Sequence, residues 1–257
     1  MAKNINSGES SQVLRMNASG VFYRELNARL REVVSNGIQK IELRNVYGQR
    51  YIGTDLARPV DIEIFGTAGN DLGAFMDGPR IIVHGNAQDG CGNTMNNGEI
   101  IIHGSAGDIL GLSARGGKIF VQGDVGYRAG IHMKEYQDKK PIIVIGGTAQ
   151  DFLGEYMAGG IMVLLGLNLG EGEHHKANFI GTGMHGGVTY LRGDIQGFQL
   201  GREVGVANLD EGDHSVLREL VGEFASHFGY NDEAILKHRF IKLFALHLRP
   251  YGRLYAY

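Results

Sequence analysis

The 257-residue chain is predicted to fold as an all-β solenoid, a right-handed parallel β-helix of about eight coils with flanking N- and C-terminal α-helices. Three observations predict it. A strand-like segment recurs at a constant step: DIEIFG, RIIVHG, EIIIHG and KIFVQG end at Gly66, Gly85, Gly104 and Gly123, each 19 residues after the last. Glycine is abundant at 41 residues, well above an average share of about 7%, while proline is scarce at 4, so collagen and disordered low-complexity readings fail. Between the glycines, apolar residues fall into columns when the coils are aligned, and stacked coils turn such columns into one continuous core.

Three segments follow in order. Residues 1–38 hold a polar start, Met1–Gln12, read as a flexible tail without a signal peptide's apolar region, and then a helix over 19–36. That helix places Phe22, Leu26, Leu30 and Val33 at helical spacing, with Gly37 as its stop. Residues 39–206 form the β-helix, beginning with IELRNVYGQRYIG (41–53). Its later coils end at Gly146, Gly166 and Gly193, with steps of 23, 20 and 27, so insertions fall in the second half. A second glycine follows seven residues on at Gly73, Gly92, Gly111 and Gly130, and eight on at Gly154. The glycines are read as supplying positive φ at the corners. Residues 207–257 form a helical segment, with one helix over Ser215–Phe228 and a second from an Asn231 cap to about Leu246, ended by Pro250.

The alternation within each strand assigns faces. Ile62, Ile81, Ile100, Ile119, Ile142 and Met162, four before each marker glycine, point inward with Ile64, Val83, Ile102, Val121, Val144 and Leu164, two before. The intervening outward positions hold Ile82, Ile101, Phe120, Ile143, Val163 and Tyr190. An outward apolar stripe of this length needs a cover, either the terminal helices or another protein, and these six are the interface candidates. The methionines Met76, Met95, Met133, Met157 and Met184 share a column and read as adaptable core filling. Cys91, among leucines and alanines, reads as a small buried residue.

The chemistry-bearing motifs are few. A net charge of -3 gives no electrostatic case for nucleic acid or anionic membrane, and no apolar run has membrane-spanning length. One cysteine rules out an intrachain disulfide and a thiolate-ligated iron–sulfur cluster within this chain, and agrees with a cytoplasmic setting. The GxGxxG string at Gly181–Gly186 leads into a repeat strand, not the helix that a dinucleotide fingerprint needs. His84 and His103 stand 19 apart, stacked on adjacent coils, and read as a surface ladder with metal ligation as the alternative. The longest insertion, EGEHHKANF (171–179), carries Glu171, Glu173, His174 and His175 and is either a ligand site or a solvated loop. No catalytic or cofactor-binding position is assigned.

The coils GTAGNDLGAFMDG (66–78), GCGNTMNNGEIIIHGSAGDILGLSARGGKIFVQGDVGYRAG (90–130) and GGTAQDFLGEYMAGGIMVLLG (146–166) resemble the glycine-repeat, or GXGXG, C-terminal domain of the glutamate synthase large subunit. The same domain type is similar to the glycine-repeat subunit of formylmethanofuran dehydrogenase. The N-terminal helix and free-standing chain look most like the separate third subunit of archaeal-type glutamate synthase. The resemblance implies a structural role in glutamate biosynthesis and nitrogen metabolism, packed between a glutamine amidotransferase and an FMN-containing synthase. FMN and an iron–sulfur cluster are expected on those partners and no cofactor on this chain. The chain starts Met1-Ala2, without the N-terminal cysteine nucleophile expected of the glutaminase part, so, if the reaction is the family's, this chain is not expected to carry out the complete reaction alone.

Three functions are therefore in view: a non-catalytic assembly subunit, a free-standing binding or regulatory module, and a β-helix carbohydrate-active enzyme. The last fits least, because such enzymes expose acidic and basic groups on a strand face that here is aliphatic and aromatic. A homo-oligomer is compatible with the first two.

Overall fold

The computed structural model describes residues 13–247; Met1–Gln12 and Pro250 lie outside the described residues. Nine strands stack in chain order as parallel neighbours: β1 (Leu14–Asn17), β2 (Lys40–Tyr47), β3 (Asp61–Thr67), β4 (Asp77–His84), β5 (Asn97–Ile102), β6 (Lys118–Val121), β7 (Ile142–Ile145), β8 (Ala158–Leu164) and β9 (Gly186–Arg192). This is a parallel β-solenoid. From β3 to β9 the chain makes six regular turns, one per successive strand pair, somewhat fewer than the eight coils expected. A second wall is a column of single bridges, Ala68 to Ala87 to Ala106 to Val125 to Ala149.

A third wall is a chain of tight turns whose geometry explains the glycine spacing. In one coil Asp71, Gly73 and Phe75 have φ of +59°, +64° and +59°, while Ala74 N donates to Asp71 O and Met76 N to Gly73 O, both at 3.2 Å. Positive φ at the third residue of each four-residue turn marks two linked type II turns. The middle position must be glycine. A Cβ on Gly73 would lie 2.8 Å from both Ile100 Cδ1 and Met76 Sδ, inside the core. The flanking left-handed residues carry side chains, so the same backbone recurs at Phe152, Gly154 and Tyr156 (φ +67°, +68° and +53°).

Four of the seven marker glycines work differently. Gly66, Gly166 and Gly193 have positive φ, at +129°, +53° and +97°, as the corner reading expects, whereas Gly85, Gly104, Gly123 and Gly146 do not. Each of these four is glycine because a neighbouring coil passes too close: a Cβ would stand 2.3 Å from Gly66 O at Gly85 and from Gln122 O at Gly146, 2.2 Å from Asn86 Oδ1 at Gly104, and 2.5 Å from Ser105 Oγ at Gly123.

One register assignment is also corrected. β7 pairs with β6 as Ile119↔Ile143 and Phe120↔Val144, so Ile143 and Ile145 face the core while Ile142 and Val144 face out. Aligning that coil on Gly146 instead of Gly147 shifts it by one residue, and a one-residue slip exchanges the faces of every side chain. The insertion over 134–141 removes the constant step that settles the choice elsewhere.

The core is closed at both ends. Helix α1 (Tyr23–Ser35) places Leu26, Leu30 and Val34 over the first coils. At the other end the strand after α3 (Asp232–Leu236) is β11 (Phe240–Ala245), where a continuing helix was expected. It pairs antiparallel with β9 and with β10 (Val204–Ala207), placing Ile241, Leu243 and Val204 on the open end of the stack. The alternation FIKLFA is a strand pattern, and pairing with an exposed last coil selects it over helix.

Candidate interaction surface

The outward stripe has an intramolecular cover. Helix α2 (Glu211–Phe228) begins at a capping box, in which Asp213 N donates to Asp210 and Asp210 N to Asp213. It ends at Gly229, which is left-handed at φ +74°. Its Leu217, Leu220, Val221 and Phe224 pack on Ile101, Phe120, Val144, Val163 and Tyr190 to form a second core. Of the six interface candidates, five lie under or beside α2, Ile82 being only partly buried, and Ile143 belongs to the solenoid interior. These residues are not a free docking face.

Polar groups fix the helix in place. Tyr190 Oη donates to Asp213 at 2.6 Å and Lys242 Nζ donates to it at 2.8 Å. Burial opposes charge on Asp213, but these hydrogen bonds prevail and hold its carboxyl below the ordinary value. Burial and the adjacent carboxylate push the Tyr190 phenol up. Further along α2, Glu223 pairs with Lys118 at 2.6 Å, and His227 faces Glu99, which also holds Arg80.

The histidine ladder is a stack of rings. Arg44 lies over Phe65, Phe65 stacks on His84 with centroids 4.4 Å apart, and His84 stacks on His103 at 5.3 Å. Phe228 of α2 meets the edge of His103, and His84 Nε2 is 3.2 Å from Glu63. Burial, then the neighbouring His84 and His227, lower the pKa of His103. Among the described residues no three His, Cys, Asp or Glu side chains come together as a metal group.

The 171–179 insertion does not gather its polar residues. Glu171 and His174 are exposed, and Glu173 accepts from the Gly170 amide at 2.9 Å. His175 is only 4% exposed, its Nε2 lies 3.1 Å from Arg192 O, and Nδ1 has no partner among the described residues. Burial lowers its pKa. Cys91 is buried among core residues, and burial raises its thiol pKa to about 12, a poor state for a nucleophile.

The surface that motif reading missed is the edge formed by the linked turns. Its flanking left-handed positions carry rings: Phe75 is 51% exposed, Tyr156 46% and Phe179 51%. Phe152 stacks on Phe179 at 4.9 Å and His132 on Tyr156 at 5.4 Å. Arg128 lies 4.8 Å over Phe152 and bonds Glu155 at 2.8 Å. The available signal was the large residue two before or two after the second glycine of a coil.

Alternating left-handed turns with glycine in the middle slot, repeated through a stacked parallel solenoid, define a GXGXG-type domain. The chain belongs to the GXGXG motif family, whose model matches residues 25–247. It is 47% identical over 252 residues to an uncharacterized protein of Methanocaldococcus jannaschii, covering 94% of this chain and 95% of that one.

Proposed function

We propose that this chain is a non-catalytic assembly subunit of a glutamate-synthase-like complex. The partners are a glutamine amidotransferase and an FMN-containing synthase that carries the iron–sulfur cluster. The family match supports the reading, since this domain type is the one the sequence shares with glutamate synthase. The observation that carries it is the turn edge. A side chain in the left-handed region costs about 1–2 kcal/mol, yet Phe152, Tyr156 and Phe179 hold it, with the Tyr156 and Phe179 rings about half exposed at 46% and 51% and Phe152 half-buried beside Phe179. Exposed, rigid aromatic groups of this kind are what protein interfaces use as anchors.

The test is affinity purification of the tagged full chain from its native host, with mass spectrometry and flavin absorbance of the eluate. An amidotransferase and a flavoprotein should co-elute, and a Phe152→Gly, Tyr156→Gly, Phe179→Gly variant should lose them while melting at a similar temperature. A wild-type chain that elutes alone points instead to the free-standing module.

A further inference from the structure

Outside the solenoid, the β10–α2 connection, the first half of α2 and the α3–β11 turn line a half-open cavity of about 430 Å³. Its floor is apolar and includes Leu217, Leu236 and Phe240. Its rim carries His214, Arg218, His238 and Arg239, and no carboxylate lines it. Among the described residues, Arg218, His214 and His238 make no side-chain hydrogen bond or ion pair. Arg239 reaches Asp194 at 3.0 Å, an exposed pair that leaves the rest of its guanidinium available.

The walls are preorganised. Leu217 and Phe240 belong to the buried core between α2 and the sheet, and the Tyr190–Asp213–Lys242 contacts hold the first turn of α2 on β9 and β11. A pocket of this volume suits a small molecule, and its lining separates into an apolar base and cationic donors. Guanidinium groups bind oxyanions through paired N–H donors, which a neutral ligand does not exploit. We propose that this cavity binds a small molecule bearing one oxyanion, a carboxylate, phosphate or sulfonate, on an apolar body. The proposal is independent of the assembly reading.

The test uses the full chain and two anionic probes of different shape, octanoate followed by calorimetry and 8-anilinonaphthalene-1-sulfonate followed by fluorescence. At least one should bind saturably with one molecule per chain. 1-Octanol and inorganic phosphate, which each lack one half of the pattern, should bind at least about tenfold more weakly than octanoate if octanoate is the one that binds. An Arg218→Ala, Arg239→Ala variant should weaken the bound probe by about tenfold or more without moving the melting temperature. Failure of both probes to bind overturns the proposal. So does binding that the double substitution leaves unchanged, or octanol binding as well as octanoate.

Discussion

Each coil rests on residues whose type is set by one or two ångströms of space. The Cβ of an alanine at Gly111 would sit 2.5 Å from Ile143 Cδ1, at φ +65°. Left-handed strain and overpacking act together there, so Gly111→Ala should cost about 2–4 kcal/mol in chemical denaturation. Phe152 and Tyr156 share the same backbone but point outward. Replacing either with glycine removes strain and adds unfolded-state freedom, so its denaturation free energy should move by less than about 1 kcal/mol. Titration is argued at this scale as well. His103 and His175 have lowered pKa values, chiefly through burial, so the unfolded chain takes up their protons more readily. Their contribution is present above about pH 6.5 and is lost as pH falls toward the folded values. Melting temperature should therefore drop between pH 7 and pH 5, and His175→Gln should flatten that drop.

At the scale of elements, α2 is the part that converts an exposed stripe into a second core. Phe224 is fully buried between that helix and the sheet, and Phe224→Ala should cost about 3–5 kcal/mol or release the helix as a unit. Hydrogen exchange separates the two results, since release speeds exchange throughout Glu211–Phe228 and leaves the solenoid strands protected. The helix period around Leu217, Leu220, Val221 and Phe224 was legible in the sequence, as was the Asn231 cap, whose side chain accepts from Ala234 N at 2.8 Å. Its docking place was not. An apolar helix face and an apolar strand face are each satisfied by any suitable partner, and only the fold brings these two together. β11 was misread for a related reason: a short apolar run of this kind supports strand or helix until its neighbour is known.

For the whole molecule, the solenoid is a stack whose ends must be sealed, by α1 at one end and by β10 and β11 at the other. A chain ending at Asn208 loses both the seal and the stripe's cover, and should elute from size exclusion as an oligomer or aggregate. Among the described residues no helix is long and apolar enough to cross a membrane.

The sequence by itself determined the repeat, the parallel stack and most of the inward columns, because a 19-residue step repeats the same local packing problem and glycine solves it each time. Tertiary structure decided what that step does not constrain. It set the register of β7 after an insertion, the role of each glycine as turn or close approach, and the partner of the outward stripe. Those outcomes depend on the distance between groups far apart in the chain, such as Val144 and Phe224, which no local pattern encodes. The exposed rings on the turn edge belong to both: their positions were in the sequence, but their strain and exposure appeared only once the linked turns were built.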